Sequence, residues 1–477
     1  MRTVSAKGQV ARLVALLLAS LLLAVLTLKT LTVFPSFFVE DDAWFYLEIG
    51  YNLGTLHRST FDGINSTSGY HLAWGGILGI LSAGCSLFSS TKTLFLIVAA
   101  TVYLFLGSIA AEYFGKNSIE KLVLLFFVFF SKMLMESQLL ATLLLIVGYC
   151  FLKERKSRWV SAVLVLIPLV RIDAIIMMAP LAIYYLTQRD YRTFTRFCVP
   201  VALGTAVHFL LMFLLFGRLA SVASLNKAYW LGQWGVGEVI RYNLTGYMRY
   251  KVGVFFVLLC LSVAGAATAR HRPERIRALL LIAGPALFVV FHILMNAGLR
   301  DWYLSPALFL FALVLLRCGG KAPRRAFLLV VCMLVLRETR AAYFFYADDA
   351  ATLRTERVHL FLDQVRNIVP EDEAIYQVDG SGFTGFFARR KIVNGDGLVN
   401  SYGYLDRLKA DNLRTYLKDC NIRYVITTEP VDGKTLLDFH GLRLTTDDAD
   451  RVADSGLRER YQSFMLWRVR KSYFDGL

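Results

Sequence analysis

The sequence predicts a mainly α-helical, polytopic membrane protein with about eleven transmembrane helices and a small C-terminal α/β domain. Of its 477 residues, 56% are hydrophobic, and the mean hydropathy is +0.51. The apolar residues occur in blocks of roughly 15–22, the length that crosses a hydrocarbon layer of about 30 Å. From residue 339 the chain becomes charged. We therefore expect a transmembrane domain over 1–338 and a soluble domain over 339–477.

The positive charge follows the apolar blocks. The net charge is +16, but its lysines and arginines stand in short tracts between these blocks, as the positive-inside rule describes. No basic patch is interleaved with aromatic residues, which argues against a nucleic-acid partner. The clusters that we assign to the cytoplasm are Arg2/Lys7/Arg12, Lys116/Lys121, Lys153/Arg155/Lys156/Arg158, Arg189/Arg192/Arg196, Arg270/Arg272/Arg275/Arg277 and Arg317/Lys321/Arg324/Arg325.

The chain must return to the cytoplasmic side at each of these clusters, and this requirement determines which apolar blocks are transmembrane helices. The first apolar run has no small-residue cleavage site, so it is interpreted as a retained helix. An odd number of spans leaves the C-terminal domain outside the cytoplasm. The predicted spans are 12–34, 93–114, 118–134, 137–152, 159–171, 174–186, 197–216, 252–269, 278–297, 304–316 and 326–337.

Two apolar stretches cannot each be counted as one transmembrane helix, because the later basic clusters would then lie outside the cytoplasm. Residues 70–88, in the outer loop 35–92, contain four glycines and are predicted as an in-plane helix at the outer interface. Residues 159–186 are predicted as two short helices hinged at Arg171-Ile172-Asp173. In the C-terminal region, amphipathic patterns at 353–368 and 404–420 alternate with β-type runs at 374–378, 424–428 and 463–469, which indicates an α/β domain.

The outer loop begins with the acidic run Glu40-Asp41-Asp42. Three successive carboxylates repel one another, so their proximity needs an offsetting interaction. One interpretation is a solvated interfacial turn. The other is a general base with a neighbouring carboxylate that orients an acceptor or holds a metal. The residues alone leave both open.

Later in the loop come Phe61-Asp62-Gly63 and Gly69-Tyr70-His71, with Asn65 and Trp74 nearby. Asp-Gly and Ser-Gly pairs form turns, so these residues also fit simple loop chemistry. Asn65 lies in a glycosylation sequon, which matters only in a glycosylating compartment.

Taken together, these motifs resemble the first outer loop of GT-C membrane glycosyltransferases, in particular bacterial members that use polyprenyl-phosphate sugars. The resemblance continues in order along most of the chain. Its later motifs are Met135-Glu136-Ser137, Arg171-Ile172-Asp173, Phe216-Gly217 through Lys227, Asp301-Trp302-Tyr303, and Val393-Asn394-Gly395-Asp396-Gly397-Leu398-Val399-Asn400.

The chain departs from that pattern at three positions. Leu134 replaces the usual glycine before Met-Glu, Ile172 replaces the proline of an arginine-proline hinge, and Leu72 replaces a proline after Tyr70-His71. The Trp-Trp-Asp signature of oligosaccharyltransferases is absent from the sequence, which argues against transfer of a whole glycan.

The resemblance implies an inverting transfer of one sugar from a polyprenyl-phosphate donor to an acceptor hydroxyl at the outer face of the cytoplasmic (inner) membrane. It implies Asp41 as the base and Asp42 as an orienting group. No cofactor is certain, and a divalent cation stays open. The acceptor is a glycan, a lipid or a protein, and membrane lipids surround the chain. The implied phosphate-binding residues are Lys227, Arg300 and Arg171, and the implied substrate-binding residues are Tyr46, Asn65, Tyr70, His71, Glu136, Asp173, Trp302 and Tyr303.

Each of these roles has a structural alternative. Arg171 and Asp173 could form an ion pair, because isolated charges at membrane depth cost at least roughly 2.5–3.5 kcal/mol. Lys227 and Arg300 could contact lipid headgroups, and Glu136 could cap a helix. Aromatic residues such as Trp302 and Tyr303 are also typical of the membrane interface. For the whole chain, the alternatives are a transporter or flippase for a lipid-linked solute, and a non-catalytic scaffold.

Overall fold

The computed structural model describes residues 6–475 except 34, 35, 37, 90, 131, 155–157, 233–234, 246–248, 296–298, 348, 428–433 and 457–462. Parts of the predicted basic clusters (Arg2, Arg155 and Lys156) and the end of the predicted strand at 428 lie outside the described residues.

Each of the eleven predicted spans contains a helix, which confirms a polytopic helical architecture. These helices are α1 (Ala6–Leu31), α4 (Lys92–Phe114), α5 (Ser118–Phe130), α6 (Ser137–Leu152), α7 (Arg158–Val170), α8 (Ile175–Thr187), α9 (Tyr191–Phe216), α12 (Arg249–Ala267), α13 (Arg272–Leu294), α14 (Asp301–Arg317) and α15 (Lys321–Ala347).

The helices differ in how much apolar surface they leave outside the bundle. Among the described residues, α1, α4, α9, α12 and α13 are long and apolar enough to cross a membrane, whereas α6, α7 and α8 are shorter apolar helices. Only 11% of the apolar window of α1 and of α9 is buried, so their side chains face outward, as they do in a lipid environment. By contrast, every residue of α14 except Arg317 is buried, which makes α14 the centre of the bundle.

The predicted hinge between α7 and α8 is confirmed. Arg171 is extended (φ −153°, ψ 116°), and a 3-10 turn at Ile172–Ala174 precedes α8. Residues 159–186 therefore form two helices, as the placement of all basic clusters on the cytoplasmic side requires. The hinge brings Arg171 and Asp173 together as an ion pair between two apolar helices.

The outer loop contains two helices, α2 (Asp41–Thr55) and α3 (Leu72–Ser86). The predicted helix at 70–88 is present, but the interpretation of the acidic run as a turn is wrong, because Asp41 and Asp42 form the first turn of α2. Carboxylates are favourable there, since they face the positive end of the helix dipole. Glycines allow the two helices to pack closely: a Cβ on Gly50 would lie 2.4 Å from the Leu78 Cβ.

Two further helices, α10 (Val222–Leu231) and α11 (Val236–Thr245), lie between α9 and α12. The sequence did not predict them. Gly217, at φ 66°, ends α9 in the left-handed conformation, and the Ser221 side chain caps the N-terminus of α10. This turn directs α10, which carries Lys227, back toward the bundle.

The predicted domain boundary at residue 338 falls inside α15, which continues to Ala347, and α16 (Asp349–Ile368) follows. The change in composition at residue 338 therefore does not coincide with the end of a helix. It occurs within α15, which becomes polar along its length. Residues 404–420, predicted as one helical pattern, form α18 (Tyr402–Lys409) and α19 (Leu413–Asp419), separated by Asp411 at φ 48°.

The C-terminal region is an α/β domain, as predicted. Its main sheet has the strand order β2-β1-β3-β7-β6, in which β1 is parallel to β2 and β3, and β7 is antiparallel to β3 and β6. A separate hairpin joins β4 and β5. The elements are β1 (Ala374–Gln377), α17 (Ser381–Ala388), β2 (Lys391–Asn394), β3 (Tyr424–Thr427), β4 (Thr435–Phe439), β5 (Leu442–Thr445), β6 (Ala449–Asp454) and β7 (Met465–Val469).

The C-terminal domain is docked onto the outer loop. Lys92 donates a hydrogen bond from Nζ to the Phe386 carbonyl (2.8 Å), and Ser68 Oγ lies 2.7 Å from the Tyr402 hydroxyl. Gly69 is so close to the domain that a Cβ there would lie 2.1 Å from the Leu398 carbonyl oxygen. These contacts join the outer loop to the domain.

Candidate active site

Asp41 lies between two helix N-termini. It begins α2, and its carboxylate accepts hydrogen bonds from the backbone N–H groups of Gly382 (3.0 Å) and Phe383 (2.9 Å) at the start of α17. It therefore caps α17 from another part of the chain. The approach is close, since a Cβ on Gly382 would lie 2.3 Å from the Asp41 carbonyl oxygen. Burial raises the pKa of Asp41 to about 7 against the opposing effect of these two amides.

Asp42 has a different environment. Its carboxyl group is half-buried, and burial raises its pKa, while the charges of Lys227 and Arg300 oppose that rise. The charges of Glu40 and Glu136 also raise the pKa of Asp42. The charges of the two cations therefore act on Asp42, whereas the C-terminal domain holds Asp41.

Lys227 enters the site from α10. Its Nζ donates a hydrogen bond to the Tyr303 hydroxyl (3.1 Å), and the interactions with Tyr303 and Asp42 raise the pKa of Lys227. Arg300 is exposed and forms the N-cap position of α14. Both residues were predicted as phosphate ligands, and the charges of both act on Asp42.

Arg171 is bound by carboxylates. It donates from Nε to Asp173 Oδ1 (2.9 Å), from Nη2 to Asp173 Oδ2 (2.5 Å) and from Nη1 to Glu136 Oε1 (2.9 Å). Its side chain is only 3% exposed. The structure therefore favours the ion-pair alternative for Arg171 over direct binding of a phosphate, because three of its donors already have anionic partners.

Two histidines extend this ion-pair network. His292 Nε2 lies 3.1 Å from Asp173 Oδ2, and His71 Nε2 lies 3.4 Å from Glu136 Oε1. The His71 ring stacks on Tyr46 with a centroid distance of 6.2 Å. Burial lowers the pKa of His71 to about 4, so its imidazole is neutral at physiological pH. The network places four predicted substrate-binding residues together: Tyr46, His71, Glu136 and Asp173.

Tyr303 connects the network to Lys227. Its ring lies 4.4 Å from the Arg171 guanidinium carbon and stacks on His292 at 4.8 Å, while its hydroxyl accepts the hydrogen bond from Lys227. Trp302 is buried beside it, with ring centroids 6.0 Å apart. Because Tyr303 touches three charged or titratable groups, its surroundings differ from those of an isolated aromatic residue at a membrane interface.

Two predicted substrate-binding residues have structural partners away from this network. Asn65 donates from Nδ2 to Asp62 Oδ2 (2.6 Å) and to the Tyr416 hydroxyl (3.3 Å), which ties the loop to the C-terminal domain. The Tyr70 hydroxyl accepts a hydrogen bond from Ser59 Oγ (3.1 Å). The described contacts of Asn65 and Tyr70 therefore support the loop interpretation of these residues.

The three departures from the family pattern have local explanations. Leu134 has φ 70°, in the left-handed region that favours glycine. Leucine therefore adopts here the backbone conformation for which glycine is the usual residue. Arg171 is extended without a following proline. Leu72 is the first residue of α3, where proline is favourable but not necessary. The geometry that the substituted glycine and prolines normally supply is thus retained.

Sequence reasoning singled out the motif at 393–400 but missed the contacts of the C-terminal domain with Asp41 and with α10. Gly382 and Phe383 hold Asp41, and Asn226 donates from Nδ2 to the Asp396 carbonyl (2.7 Å) next to Lys227. The only signal was the Gly395-Asp396-Gly397 motif, which on its own indicates a turn. Within the described residues, no group of three or more His, Cys, Asp or Glu side chains is arranged to hold a metal ion.

No protein-family model matches this chain, and no curated protein matches it either. Among solved structures, the chain is similar to ArnT from Cupriavidus metallidurans, both in the apo state and bound to undecaprenyl phosphate. Each alignment covers 98% of this chain and 99% of that chain, with 12% sequence identity and a TM-score of 0.48.

Proposed function

We propose that this chain is an integral-membrane glycosyltransferase of GT-C type, which transfers a single sugar from a polyprenyl-phosphate donor to an acceptor hydroxyl with inversion. The observation that carries the proposal is that Asp41 and Asp42 begin α2 at one end of an apolar helical bundle, where the charges of Lys227 and Arg300 act on Asp42. A base and a set of cations are the two elements that such a displacement requires.

In the proposed step, Asp41 accepts the proton of the acceptor hydroxyl while the acceptor oxygen bonds to the anomeric carbon. The bond from that carbon to the phosphate oxygen breaks, and its electron pair remains on the phosphate. Two backbone amides hold Asp41 in place, and its pKa of about 7 suits a base that works near neutral pH. Asp42 orients the acceptor.

Lys227 and Arg300 would stabilise the departing phosphate, because negative charge develops on its oxygens as the bond breaks. Lys227 has a raised pKa and stays protonated, and Tyr303 fixes its ammonium group. Arg171 would act indirectly, by holding Glu136 and Asp173 beside the reacting groups.

A lipid-linked donor also fits the surroundings of the site. Arg300 immediately precedes α14 and Arg317 ends it, so the site lies at the end of this helix opposite to a basic cluster. The positive-inside rule therefore supports a site on the outer face of the inner membrane and an extracytoplasmic C-terminal domain. An apolar groove of about 640 Å³ between α12 and α15, lined in part by Gly253, Val257 and Met333, could hold part of the prenyl chain.

The proposal can be tested with the purified protein in lipid nanodiscs. The assay would supply polyprenyl-phosphate sugars labelled in the sugar, with a membrane and cell-wall extract as the source of acceptor. We expect label to appear in an acceptor and an equal amount of free polyprenyl phosphate to form, with Asp41→Asn as the inactive control. Absence of transfer from every donor tested would contradict the proposal.

The transporter alternative predicts a different result. In vesicles, a flippase would move the labelled donor between leaflets without separating the sugar from the lipid. A change of leaflet with no loss of sugar, in both the wild type and the Asp41→Asn variant, would establish that alternative.

A further inference from the structure

A cavity lies at the end of the bundle opposite to the hinge at Arg171. Its volume is about 840 Å³, and it is lined mainly by the last two turns of α6 and α8 and the first two turns of α7, α9 and α13. The hinge joins the other ends of α7 and α8, so the cavity and the candidate active site lie at opposite ends of these helices. The cavity therefore belongs to the end that is predicted to face the cytoplasm.

Arg277 of α13 places a buried positive charge in the lining of this cavity. Its side chain is only 9% exposed, and its Nη1 pairs with Glu154. Its Nε is buried and has no hydrogen-bond partner among the described residues. A buried donor without an acceptor is unfavourable, because it has lost its water without a replacement. A further acceptor would complete the surroundings of this arginine.

The two carboxylates that line the cavity already have partners. Glu154 pairs with Arg277, and Asp190 caps the N-terminus of α9 by accepting a hydrogen bond from the Thr193 N–H (3.1 Å). Arg196, which is exposed on α9, adds a second guanidinium to the lining. The cavity thus offers two arginines to a ligand, one of them buried.

The sequence around these helix ends is strongly basic. Residues 153–158, 189–196 and 270–277 contain eleven lysines and arginines but only three carboxylates. These tracts contain or adjoin the helix ends that line the cavity. Such a concentration of positive charge attracts anions, so the favoured ligand carries negative charge.

The walls of the cavity are aromatic and aliphatic. The centroid of the Tyr185 ring lies 5.7 Å from that of Phe151 and 6.0 Å from that of Phe197. Val147 and Leu164 are buried and extend the apolar lining. A small water-soluble anion gains nothing from such walls, whereas a hydrocarbon chain is stabilised by contact with them. The ligand that fits is therefore amphipathic, with an anionic head and an apolar chain.

The bilayer borders this cavity. Helix α9 contributes Arg196 and Phe197 to the lining, and only 11% of the apolar window of α9 is buried within the bundle. One wall of the cavity is thus formed by a helix whose remaining surface faces lipid. Basic pockets between transmembrane helices on the cytoplasmic side are typical binding sites for anionic phospholipid headgroups.

We propose that this cavity binds one anionic phospholipid from the cytoplasmic leaflet. Arg277 and Arg196 hold its phosphate group, and an acyl chain lies against Phe151, Leu164 and Phe197. This lipid site is separate from the proposed donor site, and it does not depend on the glycosyltransferase function.

The test measures lipid binding to the full chain purified in detergent. Phosphatidylglycerol and phosphatidylcholine with identical acyl chains are added in separate titrations, and native mass spectrometry counts the bound molecules. We expect one phosphatidylglycerol to bind about tenfold more tightly than phosphatidylcholine, because only phosphatidylglycerol has a net negative charge. Phosphatidylglycerol should also raise the Tm, whereas inorganic phosphate at the same ionic strength should not.

Two variants test the arginines. Arg196→Ala and Arg277→Gln should each raise the Kd for phosphatidylglycerol about tenfold, the effect of one charge-assisted hydrogen bond. Because Arg196 is exposed, its variant should fold even if loss of the ion pair with Glu154 unfolds Arg277→Gln. Arg192→Ala is the matched control, since Arg192 is an exposed arginine on the first turn of α9 outside the cavity lining. Its Kd should equal that of the wild type.

Three results would overturn the proposal. Equal affinities for phosphatidylglycerol and phosphatidylcholine would show that the cavity does not select an anionic headgroup. Equal effects of Arg192→Ala and Arg196→Ala would indicate attraction by the general positive charge of this end of the bundle. An equal rise in Tm with inorganic phosphate and with phosphatidylglycerol would identify the ligand as a soluble anion.

Discussion

The two ends of the helical bundle use carboxylates in opposite ways. At the end opposite the site, Glu120 is 1% exposed and accepts hydrogen bonds from Arg317 (2.8 Å) and Arg324 (2.6 Å). At the site end, Asp41 is held by neutral backbone amides and lies near another aspartate. A buried carboxylate that is paired with arginines stabilises the fold, whereas the half-buried Asp41, which accepts hydrogen bonds from amides and has a raised pKa, can accept a proton near neutral pH.

The ion pair of Arg171 with Asp173 and Glu136 shows that the site end also contains stabilising pairs. The contrast therefore depends on the partners of each carboxylate and does not depend on which end of the bundle it occupies. Four experiments can sharpen or break this comparison.

Asp41→Asn should have the largest effect on activity. Removal of a general base lowers kcat by about 10²–10⁴-fold. Binding of a polyprenyl phosphate should stay near the wild-type value, because the cations remain. Asparagine accepts only one of the two amides of Gly382 and Phe383, so the Tm must be measured beside the rate. Full activity in this variant would remove Asp41 as the base.

Glu120→Ala should lower stability and leave activity unchanged, the opposite of the effect expected for Asp41→Asn. It leaves Arg317, whose side chain is 3% exposed, without its main anionic partner, and breaking a buried pair in this way costs about 3–5 kcal/mol. We expect a large fall in Tm in detergent, with the kcat of the surviving protein unchanged.

Glu112→Ala is the control for that loss. Glu112 lies at the same end and pairs with Arg12 and Lys121, but its side chain is 26% exposed, and exposed pairs contribute only about 0–1 kcal/mol. Equal falls in Tm for the two variants would contradict the contrast between buried and exposed pairs.

Lys227→Ala should weaken use of the donor about tenfold to a hundredfold, because one charged hydrogen bond to the phosphate is lost. The measurement is the KM for donor and for acceptor in parallel. Lys321→Ala removes an exposed lysine from the opposite end of the bundle and should change neither value. Equal losses for both substrates in Lys227→Ala would count against a phosphate role.

The smallest expected effect concerns pH. A base works only when it is deprotonated, so kcat/KM should rise about tenfold per pH unit below about 7 and level off above it. The charge of Asp42 raises the pKa of Asp41, so Asp42→Asn should move the residual profile toward acid by about one unit or less. A shift toward alkaline pH would contradict this coupling.

Much of the helical architecture follows from local patterns. The hinge at Arg171-Ile172-Asp173 and the helix at 70–88 were predictable, because charge parity restricts where a helix can cross. Helix α2 was missed, since its run of carboxylates has no apolar periodicity at its start. The course of α15 past residue 338 was missed because a change in polarity does not end a helix.

The sequence identified many residues of the candidate site but did not predict how they are arranged relative to one another. Glu136, Asp173 and Tyr303 were identified from the motifs, and the structure brings them into one network around Arg171. Asn65 and Tyr70 came from the same loop but bind other partners. Adjacent motifs in a loop do not reveal which side chains face inward.

By itself, the sequence determined the membrane environment, the alternation of the helices and the α/β character of the C-terminal region, because hydropathy, charge and short-range periodicity are local properties. Only the tertiary structure decided the environment of each carboxylate. The partners of the Asp41 carboxylate are 341 and 342 residues away along the chain. Such long-range contacts set burial and charge, and thereby proton affinity, and no local pattern encodes them.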